Sequence, residues 1–282
     1  IAIEIETIRE LPHALRERGW TLTATLWNEE RLTSLEPGDT RSKCYGLAVD
    51  IGTTKMAAFL VDLNTGQIMS TQSMMNPQIL YGEDIISRIT HATKGLRTLK
   101  ELQRSVVRDI NQMLKDGCRD AGVKTRDVHM VTIVGNTAMH HLFLGIYPGY
   151  VALAPYPPVL GKGIDVEASK LRLRTHPRAN IYVLPTIGGF VGADNVGLIL
   201  ATRILESEEM TLALDIGTNT EIVLGNKEEA RVCSCASGPA FEGAHIQHGM
   251  RATTGAIERI AVEPETLAVY YKTIDNAKPV GI

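Results

Sequence analysis

Gly46-Leu47-Ala48-Val49-Asp50-Ile51-Gly52-Thr53-Thr54 returns 165 residues later as Thr211-Leu212-Ala213-Leu214-Asp215-Ile216-Gly217-Thr218-Asn219. Each copy is an apolar run ending in Asp, then a turn of Gly and hydroxyl residues, then a second apolar run. That order reads as strand, loop, strand. A repeat at this distance is too long for a solenoid and points to a duplicated domain whose halves face one another. One Asp-x-Gly-Thr is weak evidence, since Asp and Gly are the commonest turn formers between strands. Two copies in the same context reverse that reading.

Such a loop turns backbone N–H groups and hydroxyls towards whatever lies above the hairpin, a concavity suited to phosphate oxygens. Gly52 and Gly217 would let backbone come close to a ligand, while Thr53, Thr54 and Thr218 donate hydrogen bonds, with Asn219 closing the second loop. Asp50 and Asp215 are anions and cannot serve phosphate directly. Their natural partner is Mg²⁺, held through its retained waters and bridging to the phosphates. Two loops facing across a cleft would clamp both sides of one phosphate chain. Lys55 either reaches a phosphate or is a solvated strand residue.

Outward from the first loop, strands are expected over 45–49, 55–62 and 67–73 as an antiparallel meander. Helices follow at 82–93 and 100–121, the second with Leu102, Val106, Ile110, Met113 and Leu114 at helical spacing. A strand over 128–134 meets Gly135-Asn136-Thr137, which opens a helix through Leu144; 154–163 is irregular, and a strand over 181–185 leads to a helix ending near Leu205. Before the meander, 1–6 reads as a strand, 11–18 as a helix with Pro12 in its first turn and Gly19 as its stop, and 20–27 as a half-buried strand. Glu36-Pro37-Gly38-Asp39 is a turn and a domain boundary. The expected division is therefore 1–40, a small α+β linker domain; 41–208, a first lobe; and 209–282, the start of a second lobe.

The 282 residues are 44% hydrophobic and 22% charged, with a net charge of -3, so no basic excess exists to hold a nucleic-acid backbone. No stretch reaches the roughly 18 apolar residues of a membrane span, and the first residues lack a secretory pattern. A cytoplasmic protein is expected. Cys44, Cys118, Cys233 and Cys235 include no C-x-x-C pair or iron–sulfur spacing. The chain begins at Ile1 and stops at Ile282 just after a strand-like run, which reads as the middle piece of something longer.

Other motifs are less specific. Gly135-Asn136-Thr137 either aims helix N–H groups at phosphate or a catalytic water, or is an ordinary helix cap. Gly188-Gly189-Phe190-Val191-Gly192-Ala193-Asp194 is a close approach to a ligand or plain loop chemistry. Ser237-Gly238-Pro239-Ala240-Phe241-Glu242-Gly243 is a shaped loop in which the role of Glu242 stays open. His140 and His141 are expected as one core and one surface residue. His245 and His248 could share a helix face, without a further ligand in view. Neither a G-x-x-x-x-G-K-[ST] loop nor a G-x-G-x-x-G is present.

The paired Asp-Ile-Gly-Thr loops and the Gly-Asn-Thr junction resemble the acetate kinase, sugar kinase, Hsc70 and actin superfamily. Within it, Leu11-Pro12 through Gly38-Asp39, the segment Tyr45 to Thr54, Asn76-Pro77, Tyr81-Gly82, Asp84 to Ile89, Val134 to Met139 and Gly238 to Gly243 look like the reductive activators of corrinoid proteins. The resemblance spans essentially the whole chain. It implies an α/β, actin-like (RNase H-like) ATPase fold with a small α+β segment before it. It also implies ATP-dependent return of a corrinoid protein from Co(II) to Co(I) in an anaerobic methyltransferase or O-demethylase system, with ATP and Mg as cofactors. The electron would pass from a donor through an N-terminal two-iron two-sulfur domain absent from this chain, and the adenosine-binding region would begin beyond Ile282. The fragment alone would then be inactive.

By the resemblance, Asp50, Gly52, Thr53, Thr54 and Lys55 form the first phosphate loop, and Asp215, Gly217, Thr218 and Asn219 the second. Gly135, Asn136 and Thr137 form the connecting segment. Asp50, Asp215 and Asn136 would carry the chemistry, the two Asp holding Mg through water. Thr220 stands where relatives would have Gly, altering loop flexibility. Asp127-Val128-His129 runs on to Thr132 where a corrinoid carrier's D-x-H-x-x-G needs Gly, so the partner holds the corrinoid. A small-molecule kinase of the same fold, and an actin-like assembly or chaperone module, are the competing readings. The sequence leaves the oligomeric state open, a homodimer included.

Overall fold

The computed structural model describes residues 1–238, 240, 243, 246–250 and 253–282. They fall into two compact units, Ile1–Gly197 and Leu198–Ile282.

The first unit opens with β1 (Ala2–Ile3), α1 (Ile5–Glu17), β2 (Leu22–Trp27) and β3 (Arg31–Pro37). The sheet order is β1-β3-β2, with α1 laid against it. The expected strand over 1–6 is only two residues long because the helix starts at Ile5, so Pro12 lies inside the helix on an exposed face. β3 ends in the Glu36-Pro37 pair that reads as a turn. Its residues pair with Leu22–Trp27 on one side and with β1 on the other, which overrides the local turn signal.

β4 (Tyr45–Ile51), β5 (Lys55–Asp62) and β6 (Ile68–Met75) form the expected antiparallel meander. α2 (Ile85–Ala92) and α3 (Leu96–Ala121) carry the chain to β7 (Val128–Gly135), which lies parallel to β4. α4 (Thr137–Leu144), β8 (Ile164–Glu167), α5 (Ala168–Leu171), β9 (Asn180–Val183) and α6 (Ala193–Thr202) complete the series. The mixed sheet has the order β6-β5-β4-β7-β9-β8, with β9 parallel to β7 and β8 an antiparallel edge. A parallel β4–β7 pair requires a crossover, and α3 supplies it.

Alternation along β4 turns Leu47, Val49 and Ile51 to one face, where all three are buried. α3 covers that face: Leu102, Val106, Ile110, Met113 and Leu114, the five positions read at helical spacing, are buried with them. Each of these side chains contributes roughly 1.5–3 kcal/mol through burial.

Residues 1–37 dock on the lobe through polar contacts. Arg178 donates from Nε to the carbonyl of Thr33 at 2.9 Å and pairs with Glu10, while Arg31 reaches the side-chain oxygen of Asn180. His129 Nε2 lies 3.8 Å from Glu36, and its ring is 5.3 Å from that of His176. Burial, then the neighbouring His129 and Arg178, pull His176 down to about 4.

The second unit holds β10 (Thr211–Ile216), β11 (Asn219–Gly225) and β12 (Ala230–Ala236) as an antiparallel sheet, then the hairpin of β13 (Ile257–Val262) and β14 (Val269–Thr273). Ala213, Val223 and Ile204 form its small core with Leu198, Ile199 and Val232. Leu212, Leu214 and Ile216, the counterparts of the buried Leu47, Val49 and Ile51, are exposed. No helix among the described residues is long and apolar enough to cross a membrane.

Candidate functional site

β4 ends at Asp50 and Ile51, and the chain turns through 52–54 directly into β5, Ile51 pairing with Met56. Because Val49 and Ile51 face the core, Asp50 falls on the other face and is exposed. Gly52 has a local reason to be glycine: a Cβ there would sit 2.4 Å from the carbonyl oxygen of Lys55. Its small size lets the turn close on itself. The turn is then fastened from outside by Asn76, a buried residue. Its side-chain amide donates to the Gly52 carbonyl at 2.8 Å, its backbone N–H donates to the Thr54 carbonyl at 2.9 Å, and its Oδ1 accepts from the Gln78 N–H.

Thr53 is buried, and its hydroxyl accepts a hydrogen bond from Asn136 Nδ2 at 2.9 Å. A hydroxyl that accepts keeps its proton to donate. Asn136 does two things at once, for its Oδ1 accepts from the Met139 N–H at 3.1 Å and caps α4. Asn136 thus caps the helix, as one reading of the Gly-Asn-Thr motif expects, and ties it to the first loop. Thr137 is committed elsewhere: its hydroxyl donates to the Gly188 carbonyl at 2.7 Å. Gly192 packs on the same junction, where a Cβ would lie 2.4 Å from Asn136 Cα. Segments 50–55, 135–137 and 188–192 thus meet at the carboxyl ends of β4 and β7. Lys55, first residue of β5, is exposed there.

Beneath this junction lies Arg88, fully buried on α2. Nε donates to the Gly82 carbonyl at 2.8 Å and Nη1 approaches Met139 Sδ at 3.5 Å, the sulfur that Asn76 Nδ2 also meets, while Nη2 has no partner. Burial pulls the guanidinium down to about 10, against the opposing charge of Asp84. His140 and His141 are both buried, contrary to the expectation of one core and one surface residue. α4 is enclosed on every side, so adjacent positions pointing apart do not reach solvent. His141 Nδ1 donates to the Thr137 carbonyl at 2.7 Å and Nε2 accepts from the Val159 N–H at 3.0 Å, the bonding of a neutral ring that holds the irregular 154–163 segment to α4. Among the described residues neither nitrogen of His140 has a partner, and burial brings its pKa down to about 4.

The second loop is narrower. Gly217 N–H donates to the Asn219 carbonyl at 3.1 Å, and the Thr218 carbonyl accepts from the N–H groups of Ser237 and Gly238. Thr220 belongs to the ladder, paired with Ile216 and Cys235, and its hydroxyl meets Ser237 Oγ at 2.6 Å. These contacts hold it at the base of the hairpin. Register places Glu221 directly across from Asp215. Opposed residues in a ladder share a face, so this loop carries two neighbouring carboxylates. Asp215 is exposed, whereas Glu221 is buried and accepts from Ser234 Oγ at 3.0 Å. Glu242 and His245 lie outside the described residues; His248 is exposed with a φ of 61°.

Asn76 and Arg88 fall within stretches that carry the resemblance, but the roles of Asn76, Arg88 and Glu221 are not read from sequence. Asn76 and Arg88 act from outside the loops, through contacts across 24 residues or more. Glu221 is visible only once the hairpin register fixes it opposite Asp215.

A meander continued by parallel strands, with an Asp-Gly-Thr hairpin loop at their carboxyl ends, is the arrangement of an actin-like α/β ATPase lobe. The chain belongs to the RACo family: residues 1–42 match the RACo linker region, 45–207 the RACo middle region, and 209–282 the C-terminal domain of RACo, the ASKHA domain. The corrinoid activation enzyme RamQ of Eubacterium limosum is 35% identical over 252 residues, 89% of this chain and 42% of that protein. The Co(II) methylated amine-specific corrinoid protein reductase of Methanosarcina barkeri is 29% identical over 233 residues, 78% of this chain and 41% of that protein. The solved structure of a reductive activator for corrinoid,iron-sulfur protein superposes with a TM-score of 0.89 at 37% identity, covering all of this chain and 45% of that one. The chain thus spans less than half the length of the relatives it matches.

Proposed function

We propose that this chain is the nucleotide-handling part of an ATP-dependent activator that returns a corrinoid protein from Co(II) to Co(I). The observation that carries the reading is the likeness along the whole chain to the solved structure of a reductive activator for corrinoid, iron–sulfur protein. The first loop supports it chemically. Its exposed carboxylate at Asp50 stands beside a turn whose shape is imposed by Asn76 and Asn136, so donors are fixed before a ligand arrives.

The donor set fits Mg²⁺ with a nucleotide triphosphate. No group of three or more His, Cys, Asp or Glu is gathered among the described residues, and Mg²⁺ characteristically takes one or two carboxylates, several waters and phosphate oxygens. Asp50 is the carboxylate that would hold the metal in the first unit, and Asp215, with Glu221 beside it, the one in the second; the metal would supply neutralisation of phosphate charge. Thr53, Thr54 and Thr218 would donate to phosphate oxygens, with backbone of Gly135 and Gly217 nearby and Lys55 adding a mobile cation. Thr137 and Asn136 position the loop. The thiols at Cys44, Cys118, Cys233 and Cys235 lie on separate or exposed stretches, and burial pushes Cys118 up to about 11. They do not suit an iron–sulfur cluster, so the electron would enter through another part of the protein, from a separate donor. Methyltransfer chemistry, the corrinoid partner and a homodimeric assembly belong to this same proposal.

The test is Co(I) formation by a partner corrinoid protein, given a reductant and the full-length protein. ATP should stimulate the Co(I) signal. Its absence with every corrinoid partner tried overturns the reading, and an ATP-dependent phosphorylated small molecule in its place would favour a kinase.

A further inference from the structure

A cavity of about 670 Å³ lies between the solvent face of α3 and the segment that follows β8. Lys100, Arg104, Arg108 and Lys115 line one wall, and Lys170, Arg172 and Arg174 the other. Among the described residues no carboxylate belongs to the lining, in a chain whose net charge is -3. The acids of α3 are engaged around it: Asp109 pairs with Arg108 at 2.6 Å, and Asp116 accepts from Gln112 and Arg119. The walls are fastened together. Asn111 Nδ2 donates to the Arg172 carbonyl at 3.0 Å, and its Oδ1 accepts from the Arg174 N–H at 2.7 Å. None of the loop residues named above takes part.

Seven like charges converging on one concavity repel one another, and nothing in the fold of α3 requires them: the helix is already anchored by its buried face. Their common chemistry is attraction for anions. Four of the seven are arginines, whose planar forks match phosphate oxygens in pairs. The lining has no aromatic ring on which a nucleobase could stack. A volume of about 670 Å³ exceeds what one phosphate needs and falls in the usual range for small-ligand sites. We propose that this cavity binds a compact oligophosphate, free or as the phosphate chain of a larger metabolite, at a site separate from the nucleotide loops.

The experiment is calorimetric titration of the chain with tripolyphosphate in about 0.15 M salt, a concentration that screens exposed charges beyond roughly 8 Å. Single-site binding is expected, with orthophosphate far weaker. Arg104→Gln combined with Arg172→Gln should raise the Kd at least about tenfold, the lower end for losing charge-assisted hydrogen bonds. Arg97→Gln, on the same helix outside the cavity, should leave it unchanged. The double variant without ligand should melt no lower than the native chain, since like-charge repulsion is relieved; Lys115→Gln with Lys170→Gln gives a second, independent loss of affinity. Unsaturable binding, binding indifferent to both double variants, or tighter binding of a polyglutamate peptide than of tripolyphosphate would overturn the proposal. ATP-stimulated Co(I) formation should persist in these variants, so failure here is distinguishable from failure of the proposed function.

Discussion

The side-chain amide of Asn136 donates to the hydroxyl of Thr53 at 2.9 Å while its carbonyl oxygen caps α4, so one side chain couples the first loop to the helix that follows β7. Asn136→Ala removes both bonds and should lower stability by about 1–3 kcal/mol. Thr53→Val removes only the first. In a double-mutant cycle by urea unfolding, the pair should show a coupling of roughly 1 kcal/mol; strict additivity would mean the contact does not hold the loop.

Gly192 has the backbone of Asn136 where its Cβ would go, at 2.4 Å, and backbone yields less readily than a side-chain end. Gly192→Ala should destabilise by roughly 1–3 kcal/mol. Gly197→Ala is the control. Its Cβ would meet Val134 at an ordinary 3.6 Å within α6, and the change should stabilise by about 0.5–1 kcal/mol. Thermal melts of the two variants should therefore move in opposite directions.

The meander, the crossover helix and the repeated hairpin were legible because each rests on a local signal: alternation in Leu47, Val49 and Ile51, helical spacing from Leu102 to Leu114, and Gly with Asp at the turns. β3 was not, since Glu36-Pro37-Gly38 is a turn by composition and becomes a strand end only by pairing on both sides. The local constraint on Gly52 was not legible, for a related cause. Its constraint is a carbonyl three residues away, a distance the sequence shows but a geometry it does not. Asn76, Arg88 and Glu221 depend wholly on tertiary contact.

Arg88 is a buried guanidinium with no carboxylate bonded to it and one unpartnered nitrogen. Burial lowers its folded pKa to about 10, so the folded state holds the charge less readily than the unfolded chain. The penalty is fully present below about 10 and is relieved as pH rises above it towards the ordinary arginine range. Arg88→Met keeps the length and contact with Met139 while removing the charge. It should leave the melting temperature unchanged or raise it. A loss above about 3 kcal/mol would show that the bond to Gly82 dominates.

His140 and His176 both have folded pKa values of about 4 against an ordinary 6.5. With folded values depressed, the unfolded chain binds protons first. The stability that their neutral forms provide is present above 6.5 and is lost as pH falls from 6.5 towards 4, by roughly 1.4 kcal/mol per pH unit for each ring. Urea unfolding between pH 7 and 4 should show such a slope, to which the lowered His129 and His141 also contribute, and it should be shallower in His140→Phe. An unchanged slope in that variant would remove His140 from the account of acid sensitivity.

Reduction of a partner corrinoid protein from Co(II) to Co(I) by the full-length protein, followed with and without ATP in the native form and in Asp50→Asn, is the most direct measurement. ATP should accelerate Co(I) formation in the native protein, and Asp50→Asn should abolish that acceleration while keeping the fold. Full ATP stimulation in Asp50→Asn, or none in the native protein, would contradict the assignment of this loop to Mg-ATP-driven activation.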